Sequence, residues 1–360
     1  MMKRAIPKPP PRFLFRYRPA SEVSLGYFED LLRNDRIWSS SPTAFLDLDD
    51  CRARIDFTGT KKEWLSYYRH MFGRLGVSGQ ALEQQAHDAI EKSVWNDDSK
   101  HTEVLESIQS ALFNSGVICL TNSATDTLMW RSDYAGRSEG ICLCFSASLP
   151  PLSTTLKVSY RSPLPIVKFF ADGDEQIDAF ILSKGPSYSW EREWRFVDYN
   201  KGAGYKPVSP AALRAVVIGS FASSETKNRV VQLVRTWKPH VVVLNASTDF
   251  SSDSVRVDGL TEALSRPSGA LLLEYLAAIP SAAREPDIDT RIIAIAQQLD
   301  ACRKPGSRVS ARRLAQEASV LIGALLTKQA QVPGAPSYAG IALLVFDSVK
   351  EVGRAPGLRV

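Results

Sequence analysis

The sequence predicts an α+β fold: a mixed, antiparallel-rich sheet with a helical insertion, followed by an all-α C-terminal domain. Short apolar runs rich in β-branched and aromatic residues recur between residues 12 and 258, which is typical of strands. Helical periodicity interrupts these runs over about 58–115. From residue 259 the composition shifts to alanine, leucine and arginine at helical spacing, so we expect a helical domain over 259–360.

The N-terminal residues 1–11 are predicted to form a flexible, basic, proline-rich leader. Their "PKPPP" run replaces the apolar stretch that a secretory signal requires. No apolar run in the sequence approaches the roughly 20 residues that a membrane-spanning helix needs. We therefore expect a cytoplasmic protein with no membrane partner.

The charge of the chain gives little support for nucleic-acid binding. The net charge is +5, from 44 Lys and Arg against 39 Asp and Glu. Because the first 18 residues contain six basic side chains and no acidic one, the rest of the chain is close to neutral. A nucleic acid remains a possible acceptor, but the charge does not indicate one.

The first elements follow from local patterns. Residues 12–18, "RFLFRYR", alternate aromatic and basic side chains and predict a half-buried strand. A helix is expected from Ser21, which provides a capping hydroxyl ahead of apolar residues at helical spacing. "RIWSSSP" predicts a short strand that ends at Pro42.

The helical insertion is expected to begin with a capping box formed by Thr60 and Glu63. Strands are predicted at 116–122, 140–145, 155–160, 191–197, 215–219 and 240–245. Further helices are predicted near 174–184, 224–237, 289–302, 310–329 and 338–350.

The five cysteines are too few and too scattered for a disulfide framework. Cys142 and Cys144 lie two residues apart in a predicted strand, and we interpret them as buried, reduced thiols. None of the four histidines has ligand spacing with a cysteine, so no metal is expected.

The segment "SYSWEREWRFV" (187–197) concentrates charges among large aromatic residues. In a strand, Glu191, Glu193 and Arg195 would share one face. They would form either a functional row of charges or a charge ladder on a solvated face. In the structural interpretation, Arg16 and Arg18 would simply pair with these glutamates.

Several segments together resemble a bacterial family catalogued as Domain of Unknown Function 2971. The resemblance covers roughly residues 13–245 and rests on "FRYR", "IWSSSPTAFLD", "LMWRSDYAGRSEGICLCF", "KVSY", "SWEREWR" and "VVIG". The chain departs from the family pattern at 46–50, where "LDLDD" replaces an Asn-Asp-Pro-Phe-Asp run, and at Asp133, where a histidine is common.

The order of motifs also resembles, more distantly, an ADP-ribosyltransferase domain. Such domains carry an early strand with Arg or His, then a strand with hydroxyl residues, then a Glu-x-Glu strand. Here Arg16 or Arg18, the serines at 39–41, and Glu191 with Glu193 follow in that order. The resemblance implies an enzyme that uses NAD as substrate, in a bacterial toxin or an anti-phage effector.

The same resemblance implies roles for individual residues. Glu193 would be the catalytic carboxylate that stabilises positive charge on the ribose, and Glu191 would orient the acceptor or take its proton. Arg16 or Arg18 would bind the NAD pyrophosphate, and Ser40 would help to position the sugar. Trp130 or Tyr134 would stack on the nicotinamide ring.

These residues also have structural interpretations. Serines before Pro42 are typical of a turn. Trp130 and Tyr134, four residues apart, are typical of the core side of a short helix.

Two other functions remain open. The chain could be a non-enzymatic binding module whose C-terminal helices bind a partner or self-associate. It could also be a metal-dependent nuclease that uses Asp47, Asp49, Asp50 and Glu193. In the structural interpretation these aspartates form an exposed acidic turn.

Overall fold

The computed structural model describes most of the chain up to residue 301. The described residues are 9–45, 47, 50–51, 53–92, 98–170, 179–199, 201–239, 241–265, 269–278, 284–301 and scattered positions between 314 and 325. Most of the predicted leader, most of the predicted helix at 310–329 and all of that near 338–350 lie outside them.

Fourteen strands and nine α-helices are found in the described part of the chain. The strands are β1 (Phe13–Arg18), β2 (Arg36–Ser39), β3 (Arg54–Asp56), β4 (Gly116–Thr121), β5 (Ile141–Ser146), β6 (Leu156–Lys157), β7 (Ser159–Tyr160), β8 (Ile166–Lys168), β9 (Ser183–Lys184), β10 (Glu193–Asp198), β11 (Gly204–Pro207), β12 (Leu213–Ile218), β13 (Val242–Asp249) and β14 (Ser254–Val257). The helices are α1 (Glu22–Asn34), α2 (Lys61–Arg74), α3 (Gly79–Glu91), α4 (Asp98–Phe113), α5 (Thr127–Arg131), α6 (Ser224–Trp237), α7 (Leu260–Ser265), α8 (Gly269–Ala278) and α9 (Pro286–Ala301).

The chain divides into two compact units, each built from separate segments. The first unit contains residues 1–37, 120–155 and 205–360. The second unit contains residues 38–119 and 156–204. One boundary therefore falls within β4, after Cys119.

The first unit is organised around β5. The strand order is β14-β13-β12-β5-β1, with the end of β4 beside β1. β5 is antiparallel to both of its neighbours, whereas β12 and β13 are parallel and joined through α6. Because both faces of β5 are covered, its apolar sequence "ICLCFS" is buried along its whole length.

The thiols of β5 are as predicted. Cys142 and Cys144 are free and fully buried in the core of the first unit.

The second unit contains the helical insertion. As predicted, α2, α3 and α4 lie between β3 and β4, and Thr60 and Glu63 form a reciprocal capping box at the start of α2. Trp64 of α2 is buried and stacks on Phe169 with ring centroids 5.1 Å apart. β10 lies between β4 and β6.

Two predicted elements outside the 187–197 segment differ from the structure. The predicted strand at 155–160 is divided into β6 and β7, because its first part pairs with β10 and its second part pairs with β9. The predicted helix near 174–184 lies partly outside the described residues, and its last two residues instead form β9, which pairs with β7.

Helices α7, α8 and α9 follow β14, and α9 matches the helix predicted at 289–302. The structure thus confirms a mixed fold with an antiparallel-rich sheet and several helices, while an all-α domain over 259–360 stays a prediction. In the described part of the chain, no helix combines the length and apolarity needed to span a membrane.

Candidate functional site

The segment that carries the two glutamates changes conformation between them. Pro186–Glu191 forms a 3-10 helix, and Arg192 then adopts a left-handed conformation with φ 48°. β10 therefore begins only at Glu193. The prediction of one strand through 191–197 is wrong at its start, because the left-handed residue breaks the strand alternation.

The side chains of Glu191, Glu193 and Arg195 nevertheless meet in one place within the second unit, together with charged residues from other segments. Six charged residues come together there, and we call them the charged cluster: Asp47, Asp50, Lys184, Glu191, Glu193 and Arg195.

Arg195 uses all five of its N–H groups. Its Nε and Nη2 donate to the two carboxylate oxygens of Glu193, each at 2.8 Å. Nη2 also donates to Asp50 Oδ2 at 2.8 Å, and Nη1 donates to the Ile181 carbonyl at 2.6 Å and Cys51 Sγ at 3.1 Å. The guanidinium is fully buried and fully satisfied, which fixes the position of Glu193.

Lys184 is the second cation of the charged cluster. Its Nζ lies 2.7 Å from Glu191 Oε2 and 2.7 Å from Asp47 Oδ2. The same atom lies 3.4 Å from Asp50 Oδ2 and 4.0 Å from Glu193 Oε2. One ammonium group thus faces all four carboxylates.

Burial sets the electrostatics of the charged cluster. Glu191 and Glu193 are each only 5% exposed, so the interpretation of a solvated charge ladder is wrong. Asp50 is 7% exposed, so it does not belong to an exposed acidic turn; Asp49 lies outside the described residues. Four carboxylates face two cations in an environment where uncompensated charge is costly.

The cations hold the key carboxylate in its ionised form. Burial alone raises the pKa of Glu193, but the adjacent Arg195 and then Lys184 outweigh burial and bring this pKa below its ordinary 4.5. For Lys184, burial lowers the pKa, but Glu193 and Glu191 outweigh it and raise the pKa above 10.5. Both groups are therefore charged near neutral pH.

The thiols beside the charged cluster are not activated nucleophiles. Burial raises the pKa of the Cys51 thiol to about 12, even though Arg195 acts in the opposite direction. Burial likewise raises the pKa of the Cys119 thiol well above 9.0. Since the thiolate is the reactive form, these cysteines stay protonated and unreactive.

The predicted serines also lie in the second unit. Ser40 forms an antiparallel bridge with Val117, in which each residue donates its backbone N–H to the other. The hydroxyl of Ser39 donates to the Gly204 carbonyl at 2.8 Å, and that of Ser41 donates to the Phe113 carbonyl at 2.6 Å. The hydroxyls of Ser39 and Ser41 thus hold backbone in place.

The other predicted NAD-binding residues belong to the first unit. Arg16 and Arg18 lie on β1, where Arg16 is 8% exposed. The nearest described partners of Glu191 and Glu193 are Lys184 and Arg195. Arg195 belongs to the row of charges predicted from the sequence, whereas Lys184 was not singled out.

Trp130 and Tyr134 have different environments within the first unit. Trp130 is buried, donates its Nε1–H to the Ala124 carbonyl at 2.8 Å and packs edge-on against Tyr17. This packing favours the core interpretation of Trp130 over stacking on a ligand. Tyr134 is exposed.

A metal site finds no support among the residues that the structure describes. None of their His, Cys, Asp and Glu side chains form a group of three or more arranged to hold a metal ion. Asp47 and Asp50, two of the aspartates considered for a nuclease, instead converge on Lys184.

Comparisons with known proteins give no identification. The chain matches no family model, no curated protein and no solved structure. The two resemblances described above therefore stay predictions, and the function has to be inferred from the site itself.

Proposed function

We propose that the protein is an ADP-ribosyltransferase-like enzyme, or an NAD glycohydrolase, with Glu193 as the catalytic carboxylate. The observation that carries this proposal is the arrangement of Glu191 and Glu193. Both carboxylates approach one ammonium, that of Lys184, and Glu193 is held in a defined orientation by Arg195.

The reaction requires a fixed, ionised carboxylate. The bond between nicotinamide and ribose C1′ breaks, and nicotinamide leaves with the electron pair. Positive charge then develops on the ribose, and Glu193 stabilises it electrostatically. The acceptor, or water, forms the new bond to C1′ and gives its proton to Glu191.

The hydrogen bonds of Glu193 are compatible with this role. Each carboxylate oxygen has two lone pairs, and Arg195 occupies one on each oxygen. The Cys119 thiol also donates to this carboxylate, so one lone pair is left to accept from a ribose hydroxyl. We further propose that Ser40, which lies in the same unit as Glu193, contacts the NAD.

The test is turnover of isotope-labelled NAD by purified protein, with cell lysate as the source of acceptor. Wild type is compared with Glu193→Gln, which keeps the shape and removes the charge. We expect turnover in wild type and a loss of about 100-fold or more in the variant, by analogy with removal of one transition-state contact.

The matched control is Asp35→Asn, also an acid-to-amide change at a partly buried ion pair, in this case with Lys238 of the first unit. Turnover should survive this change. Circular dichroism establishes that each variant is folded. A folded wild type that releases no nicotinamide under any acceptor condition would rule out the proposal.

A non-enzymatic binding module is the second candidate. The observation that favours it is the burial of Glu191 and Glu193, which leaves little of either carboxylate at the surface. In that case the charged cluster is structural, and NAD turnover would be absent in wild type and in every variant.

The biological setting is part of the same proposal. We infer a cytoplasmic bacterial toxin or anti-phage effector, in line with the resemblances, with the C-terminal helices as the surface for a partner or for self-association. Co-purification of the full chain with its target from phage-infected cells would test this setting.

A further inference from the structure

Lys184 occupies a rigidly defined position in the second unit. It belongs to β9, where it pairs in parallel with Tyr160 of β7, and its carbonyl accepts from the N–H of Arg161 at 3.0 Å. Its side chain is 2% exposed, and Nζ lies 4.4 Å from the centre of the Tyr188 ring. Both the backbone and the ammonium of Lys184 are therefore fixed.

We propose that Lys184 is a positioning residue for the reaction inferred above: its ammonium holds Glu191 beside Glu193 and compensates the charge of the two carboxylates. This inference rests on the proposed function, because positioning has meaning only for a reaction. It assigns a role to a residue that neither motif nor spacing indicated.

The first argument is connectivity. Glu191 lies on the 3-10 helix, whereas Glu193 begins β10, with the left-handed Arg192 between them. Arg195 fixes Glu193, and Lys184 Nζ donates to Glu191 Oε2 at 2.7 Å. The same ammonium lies 4.0 Å from Glu193 Oε2, so Lys184 contacts both glutamates.

The second argument is charge. Two carboxylates brought together in a buried site repel, and one of them takes up a proton unless a cation compensates. The groups that face Lys184 are Asp47, Asp50, Glu191 and Glu193 as acids and Tyr160 and Tyr188 as phenols. Arg195, which pairs with Glu193, is the other cation of the charged cluster.

Lys184 acts through these neighbours rather than as a base. The surrounding carboxylates raise its pKa above the ordinary 10.5, so it keeps its proton near neutral pH. A permanently charged ammonium neither accepts a proton nor attacks an electrophile. Its contribution is therefore orientation and electrostatics.

The experiment measures glutamate ionisation and turnover separately. Carboxyl-labelled glutamate in the full chain is followed by NMR from neutral to acidic pH, and the two signals are assigned with Glu191→Gln and Glu193→Gln. Lys184→Met is compared with Lys168→Met, which removes an exposed ammonium that pairs with Asp56 in the same unit.

We expect Lys184→Met to shift the titration midpoint of Glu193 to higher pH. The acidic limb of the pH profile of NAD turnover should move in the same direction. Turnover should fall by roughly 100-fold, mainly in kcat, as for a misplaced catalytic group. Lys168→Met should leave midpoint and turnover unchanged. A folded Lys184→Met protein with an unmoved Glu193 midpoint would overturn the inference.

Two further measurements test the inference if Lys184→Met does not fold or if wild type shows no turnover. If Lys184→Met does not fold, the double variant Lys184→Met/Glu191→Gln removes one charge of each sign, and its Glu193 midpoint must lie above that of Glu191→Gln alone. If wild type turns over no NAD, the proposed reaction fails. The NMR titration then still decides whether Lys184 controls the ionisation of the glutamates.

Discussion

Strands β5 and β10 have the same length but bury opposite kinds of side chain. β5 buries Ile141 and Leu143 with their neighbours, which is favourable at roughly 25 cal/mol per Å² of apolar surface. β10 begins by burying Glu193 and Arg195, each at a desolvation cost of several kcal/mol. Hydrophobic burial explains the first strand, whereas the second requires a precise set of partners, as functional sites often do.

The largest effect is expected from Arg195→Met, which breaks the buried pair. Glu193 and Asp50 would lose their guanidinium partner while remaining buried. We expect a loss of about 3–5 kcal/mol in the free energy of unfolding, measured with urea. Hydrogen exchange should place the loss in β10 and spare β5.

The control for this change is Arg131→Met, which breaks the exposed pair with Asp253. It should cost less than about 1 kcal/mol, because solvent screens exposed ion pairs. Equal losses for the two arginines would show that burial of the Arg195 ion pair adds nothing to its contribution to stability.

Acid should destabilise the packing of β10, which depends on the ionised Glu193, and should not affect β5. Because the folded pKa of Glu193 is lowered, its ionisation stabilises the fold above the ordinary value of 4.5 and ceases to do so as pH falls through the folded pKa. Glu193→Gln has no such proton to bind. The difference in unfolding free energy between wild type and Glu193→Gln should therefore shrink below pH 4.5. Urea titrations at several pH values measure this difference. A difference that stays constant with pH would contradict the prediction.

The smallest effect is expected from Ile141→Val in β5. Ile141 is fully buried, and removal of one methylene should cost about 0.5–1.5 kcal/mol at any pH between neutral and mildly acidic. Urea unfolding measures it directly. A loss larger than that of Arg195→Met would reverse the comparison.

Local chemistry was predictable from the sequence. The cap at Ser21, the capping box of Thr60 with Glu63, and the buried strand around Cys142 all depend on neighbours a few residues away. Such features follow from spacing alone.

The charged cluster was predictable only in part. The sequence singled out Glu191 and Glu193, but it did not pair them with Lys184, which lies in an unremarkable "LSKGPS" run. The meeting of these residues depends on a single left-handed residue, Arg192, and on the pairing of two-residue strands. Neither leaves a periodic signal, because both are set by tertiary contacts.

The segmented construction of the two units has a consequence for synthesis on the ribosome. Every residue of the second unit precedes Tyr205, so the charged cluster is complete in sequence before the first unit has received β12. Strand β5 must wait for that partner, although it is made earlier than β10. A nascent chain arrested shortly after residue 204 thus contains all the residues of the candidate site, while one flank of β5 is still unpaired.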